Sequence, residues 1–281
     1  MAAAPGGRAA GRLVPSTGAV YARPMSAPEA SGSEPTGSAR PDPREELRWY
    51  IAKYEAAYGQ STIPLSDQIR PLMSPAARLR AKVLATDAQA FVARRTAARL
   101  AAGSGPLRLH LGCGWNHIPG WVNSDLVGAK GDFAWNLLRP LPFADGSVDA
   151  VFMEHVFEHL RYSQVLRVLG HVRTVLRPGG VLRVGVPDAG MYARRYSEDP
   201  EGLAAERWGR PTGLLVLREV FQEHAHVTAY DGETLQLILA EGGFPNSSVT
   251  PGGESPLLGL APDMDERIPE TVYAEVRRPG M

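Results

Sequence analysis

His155, Glu158 and His159 spell H-x-x-E-H. On a helix, positions i and i+4 place both imidazoles on one face, a spacing able to grip zinc, and the same letters occur in an inverted zinc-peptidase motif. The sequence marks no third ligand, so no metal is expected and a zinc-dependent hydrolase is the remote alternative. His224 and His226 lie some way downstream. Imidazole changes charge near neutral pH, which makes His155, His224 and His226 the candidate general bases, with Glu154 and Asp188 behind them. Against that stands the plainer role of histidines that cap or pack helices. The remaining feature is Gly112-Cys113-Gly114. Glycines admit positive φ and let a backbone approach a ligand with no Cβ in the way. The triplet lacks the third glycine of G-x-G-x-x-G, and no G-x-x-x-x-G-K-[ST] loop occurs, which excludes P-loop phosphate chemistry.

The elements that must position these residues alternate in type. Leu107–Leu111 is a short apolar run that enters the glycine turn, and Trp121–Ser124 leads to Asp125. Val148–Met153 reads as a buried strand immediately before His155. Tyr162–Leu176 carries apolar residues at helical spacing and stops at Arg177-Pro178-Gly179-Gly180, after which Val181–Val186 is a β-branched run ending at Pro187-Asp188. Strands alternating with helices imply an open, mostly parallel sheet covered on both faces. Ligands in such sheets bind beyond the carboxyl ends of the strands. The glycine turn, Asp125 and the Glu154–His159 segment all fall there.

The runs LRLHLGCGWNHIPGWVNSDL, NLLRPLPFADGSVDAVFMEHVFEHL and VLRPGGVLRVGVPD resemble class I S-adenosylmethionine-dependent methyltransferases. The likeness is greatest to a bacterial subgroup in which the glycine turn is followed by Gly-Trp-x-Asn-x-Asp, here Gly120, Trp121, Asn123 and Asp125. It covers about residues 106–190, and EHAHVTAYDGETLQLILAEGGF and TVYAEVRRP extend it near the C-terminus. The resemblance implies a Rossmann-like α/β fold: a seven-stranded, mostly parallel sheet with helices on both faces, whose last strand, from 271–279, is antiparallel. It implies S-adenosylmethionine as cofactor, with Gly112 and Gly114 under its methionine part and Asp125 accepting from its ribose hydroxyls. Asn136, followed by Leu137, stands where many relatives carry an aspartate toward the adenine amino group, and Asp132 could take that role. His110 occupies a position near the methionine ammonium where relatives have Asp or Asn. Glu154 and His155 would lie beside cofactor and substrate. Phe152-Met153-Glu154-His155 replaces the N-P-P-[YFW] segment of amino methyltransferases, which points to an oxygen of a small molecule or glycan as acceptor. A non-catalytic cofactor-binding or regulatory module is the alternative, motivated by His110 and Asn136.

Lys plus Arg and Asp plus Glu both total 30 in 281 residues, so the formal net charge is zero. That balance argues against a protein coating nucleic acid or an anionic membrane. A single cysteine, Cys113, rules out an intramolecular disulfide framework. No apolar run approaches the ~20 residues of a membrane span and no secretory signal is visible, so a cytoplasmic protein is expected. Residues 1–42, rich in Gly, Pro, Ser and Ala, read as a disordered tail. Residues 43–102 read as a helical extension, one helix near 45–58 and a second from Ser74 to Ala102, able to cover a pocket or pair two copies as a homodimer. The catalytic domain is then 103–281. Within it, 189–223 mixes Met191, Tyr192, Tyr196 and Trp208 with Arg194, Arg195, Arg207 and Arg210, a composition suited to a planar polar or anionic substrate.

Overall fold

The computed structural model describes Trp49 and residues 75–127, 131–207 and 209–280. The expected tail at 1–42, the helix near 45–58 apart from Trp49, and Trp208 lie outside the described residues. Two helices come first, α1 (Pro75–Ala88) and α2 (Ala90–Ala101), where the sequence suggested one continuous stretch. The break falls at Gln89, whose ψ of 2° is not helical. Ala93 and Ala97 bury one face of α2, which packs against the sheet next to β3.

The sheet is built from β1 (Arg108–Leu111), β2 (Val122–Asp125), β3 (Phe133–Ala134), β4 (Val148–Glu154), β5 (Leu176–Pro187), β6 (Ser248–Thr250) and β7 (Thr271–Arg277). Their order is β3-β2-β1-β4-β5-β7-β6, with β7 antiparallel to both neighbours and the rest parallel to one another. The seven-stranded, Rossmann-like fold expected from the sequence is therefore present, and the 271–279 segment supplies the reversed strand. Leu109, Val151, Leu182 and Val184 are fully buried. Each contributes about 1.5–3 kcal/mol relative to an exposed side chain. Central parallel strands shielded on both faces need such continuous apolar runs rather than alternation.

Helix α3 (Tyr162–Val175) links β4 to β5 and buries Val165, Val168, Leu169, Val172 and Val175. That i, i+3, i+4, i+7 spacing makes one apolar stripe against the sheet. After β5 the chain forms α4 (Ala189–Glu198), α5 (Pro200–Ala205) and α6 (Gly213–Gln222), which share a small core of Ala189, Tyr192, Leu203, Val216 and Val220. Helix α7 (Gly232–Glu241) returns to the sheet. Asp188, Asp199, Thr212 and Asp231 each cap the helix that follows through a side-chain oxygen, satisfying amides that the first turn leaves open. No described helix is long and apolar enough to cross a membrane.

Candidate functional site

At the carboxyl end of β1 the chain reverses through Gly112 (φ 76°) and Gly114 (φ 52°). Both Gly112 N–H and Cys113 N–H donate to the Ser124 carbonyl on β2, at 2.7 and 3.1 Å. A Cβ on Gly112 would collide with the Val156 side chain, so the turn lies directly against the end of β4. A Cβ on Gly114 would meet nothing within 4 Å. One glycine is needed for inward packing and the other faces open space.

Asp125 ends β2 and is half-buried. Its carboxylate accepts from Gly114 N–H at 3.0 Å and Val127 N–H at 3.2 Å, tying the two strand ends together. An ionised carboxylate has about four acceptor sites, so two remain for ligand hydroxyls. Asn136 Oδ1 accepts from Leu138 N–H at 3.1 Å and keeps a second lone pair. Leu137 is partly buried against the main core, whereas Asp132 fastens Asn123 N–H at 2.7 Å. The outward-facing glycine and the spare acceptors of Asp125 and Asn136 fit the cofactor's polar groups.

His110 is buried within the sheet at 2% exposure, with its ring 5.1 Å from that of Phe152 and Nδ1 3.2 Å from Asn123 Oδ1. Desolvation lowers its pKa from 6.5 to about 4, so the ring is neutral. It braces the sheet under the glycine turn through Asn123, which also holds Ile118 N–H.

The end of β4 is assembled differently. Glu154 is buried, and its carboxylate accepts from Tyr273 O–H at 2.7 Å and Met264 N–H at 3.1 Å, with Arg267 at 3.4 Å. Burial raises its pKa against these partners. Those bonds make Glu154 an anchor for the 264–273 segment. His155 adopts φ 53°, uncommon outside glycine, while its N–H stays on β5 through Gly185 O. Its Nε2 lies 2.8 Å from Thr271 Oγ1 and its Nδ1 3.7 Å from Glu158 Oε1. Burial, then the Arg267 charge, hold its pKa well below 6.5.

The H-x-x-E-H segment does not form the helix its spacing suggested. After the left-handed His155 only a 3-10 turn, Phe157–His159, is made. The fold nevertheless brings all three candidate bases to one place. His226 Nε2 lies 4.0 Å from Glu158 Oε1, and its ring is 4.9 Å from that of His159 and 5.8 Å from that of His224. His224 is the more exposed, with Nε2 3.3 Å from Glu219 Oε1. Asp188, by contrast, accepts from Met191 N–H at 2.8 Å as the α4 cap.

The 189–223 region differs from its composition-based reading. Arg195 pairs with Glu206, Arg207 with Glu270 and the Tyr192 hydroxyl, and Arg210 with Glu219 and Glu223. These arginines hold the helical insert together and fasten it to Glu270, in the turn just before β7. Thr271, Arg267 and Tyr273, which set the environment of Glu154 and His155, gave no signal in the sequence because each lies more than a hundred residues from its partner. A cavity of about 420 Å³ is lined by Asn246, Thr250, Leu257, Glu275 and Arg277. It opens at the β6 edge of the sheet and shares no residue with either strand end.

The methyltransferase domain family matches residues 133–184, from β3 through most of β5. No curated protein matches the chain. Among solved structures, the CurJ carbon methyltransferase is 16% identical over 63% of this chain, which spans half of that chain, with a TM-score of 0.38. A SAM-dependent methyltransferase from Archaeoglobus fulgidus is 16% identical over 67% of this chain and 94% of its own, TM-score 0.40. Magnesium protoporphyrin IX methyltransferase from Synechocystis PCC 6803, solved with bound SAH, is 13% identical over 84% of this chain and 100% of its own, TM-score 0.38. The chain thus has a seven-stranded Rossmann-like sheet with a glycine turn closing β1, and its residues 133–184 are similar to the methyltransferase domain family.

Proposed function

We propose that this chain methylates an oxygen of a small molecule or glycan, with His155 as the base. The observation that carries the reading is adjacency. Val156, the residue after His155, fills the space where Gly112 has no Cβ, so the imidazole follows directly from the cofactor turn. When bound, the cofactor supplies a methyl group already activated as a sulfonium. The protein's own work is then to hold the cofactor, orient the acceptor and take up the acceptor's proton. Gly112, Gly114 and Asp125 would hold the first, with Asn136 and Leu137 toward the adenine. Burial keeps the His155 ring unprotonated at neutral pH, and Thr271 Oγ1 fixes its orientation.

The test is incubation with methyl-labelled S-adenosylmethionine and a panel of hydroxylated acceptors, with the product read by NMR. Transfer to oxygen is expected. His155→Ala should lower kcat by about 100-fold or more while S-adenosylhomocysteine affinity stays near wild type. A product methylated on nitrogen or carbon, or a fully active His155→Ala protein, overturns the acceptor or the base respectively.

A further inference from the structure

Glu158 is the carboxylate among the described residues with both oxygens buried and without a hydrogen-bond partner. Its side chain is 2% exposed, and neither carboxylate oxygen accepts a hydrogen bond. Buried carboxylates ordinarily carry such partners or face a cation, because desolvating an unpaired charge is costly. Around this one are imidazole nitrogens: His155 Nδ1 at 3.7 Å, His159 Nε2 at 3.8 Å and His226 Nε2 at 4.0 Å. The cluster thus places three imidazoles around a carboxyl group whose oxygens have no hydrogen-bond partner.

The arrangement around it is built rather than incidental. His226 Nδ1 lies 2.7 Å from the Val220 carbonyl and so donates its proton there, leaving Nε2 with a free lone pair toward Glu158. A second ring nitrogen anchored on a carbonyl is how proteins fix the tautomer and direction of a metal-ligating histidine. His224 (φ 57°) and Ala225 (φ 64°) are consecutive left-handed residues, the turn that sends His226 back toward the 3-10 segment. The Glu158 carbonyl itself clamps that turn, accepting from Val227 N–H at 2.8 Å and Thr228 N–H at 3.2 Å. Thr228 Oγ1 adds bonds to the Phe157 and Leu160 carbonyls at 3.1 and 3.0 Å.

We propose that Glu158, His159 and His226 bind one divalent transition-metal ion of the zinc type, which fastens the 224–228 turn to the end of β4. One ligand atom from each of the three lies within 4.8 Å of the others. Tetrahedral donors at zinc bond lengths sit about 3.3–3.5 Å apart, so small side-chain rotations close the set. Two imidazoles and one carboxylate suit zinc, iron(II) or cobalt rather than magnesium or calcium, which prefer all-oxygen shells. The dication supplies the positive charge that Glu158 lacks. Three protein donors leave a position for water or a further ligand. The ligand pair is His159 with His226, not the His155 and His159 pair that H-x-x-E-H would offer on a helix. The inference does not depend on the methyl-transfer reading.

The test uses the full chain without a histidine tag, stripped with EDTA and titrated with zinc alone by calorimetry. One zinc per chain is expected, together with a rise in Tm that a chelator reverses. A Glu158→Gln, His226→Gln double variant should lose stoichiometric binding, its affinity falling by at least about 10-fold, while His171→Gln on α3 keeps it. Cobalt(II) added to the wild-type protein provides a reading that no variant's folding can obscure. Intense d–d bands without thiolate charge transfer are expected, since Cys113 is outside the set. Folded wild-type protein that stays metal-free in excess zinc, equal binding by the double variant, or the weak spectrum of a hydrated octahedral cobalt ion would overturn the site.

Discussion

The two groups of strand ends that matter are built on opposite plans. The β1–β2 end lies within residues 112–127 and is held by backbone amides: Gly112 and Cys113 on the Ser124 carbonyl, Gly114 and Val127 on Asp125. The β4 end is held by side chains from 154–159, 224–228 and 264–273. At the first, the carboxylate is satisfied by two amides and keeps acceptors to spare. At the second, the Glu158 carboxylate has none, and imidazoles surround it. A backbone cradle depends on local conformation and tolerates few changes of Cβ. A side-chain cluster depends on the whole fold being in place, and its chemistry changes residue by residue.

The contrast can be broken at several points. Gly112→Ala should have the largest effect, because it adds left-handed strain to a collision with Val156. A loss of about 3 kcal/mol or more in denaturant unfolding is expected. Gly114→Ala, at a similar φ but in open space, should cost only about 1–2 kcal/mol. Equal losses in the two variants would show that strain alone sets the turn.

His110 gives a pH test of the sheet beneath that turn. Its folded pKa of about 4 lies below the unfolded 6.5, so the unfolded chain binds the extra proton between those values. Its contribution is whole above pH 6.5 and is lost as pH falls toward 4, by up to about 3 kcal/mol. Urea unfolding at pH 4.5 and 7 should show this slope, and His110→Asn should flatten it. An unchanged slope would mean the ring is solvated or already protonated.

Asp125→Asn keeps the size of the side chain while removing its charge. S-adenosylhomocysteine affinity should fall by about 10–100-fold, the range of a charge-assisted hydrogen bond worth roughly 1.5–3 kcal/mol. The smallest effect belongs to Asp188→Ala, which removes a helix cap and should cost about 1 kcal/mol with cofactor affinity unchanged. A large affinity loss there would return Asp188 to the site.

The sequence carried the β1–β2 end plainly. Its glycines, its acidic residue and its two flanking apolar runs are contiguous, and each acts where it stands. Strands β1, β2, β4 and the Val181–Val186 part of β5, and helix α3, were readable for the same reason, as were the seven strands implied by the family resemblance. The β4 end was half legible. His155, His224 and His226 could be singled out by residue type, but not that Glu158 would sit among them, nor that Thr271, Tyr273 and Arg267 would arrive from the reversed strand and its approach. Contacts between residues so far apart leave no period or spacing to read. H-x-x-E-H misled because spacing implies geometry only once the helix is granted, and a left-handed His155 prevents that helix from starting. The arginines of 189–223 misled similarly, since composition does not reveal Glu206, Glu219, Glu223 and Glu270 as their partners.

The central claim is that the β1–β2 end binds the methyl-donor cofactor, and calorimetric titration with S-adenosylhomocysteine tests it most directly. The account predicts saturable one-to-one binding to the wild-type protein at micromolar affinity, weakened in Asp125→Asn. No heat of binding from protein shown to be folded would contradict it, as would an Asp125→Asn variant that binds as tightly as wild type.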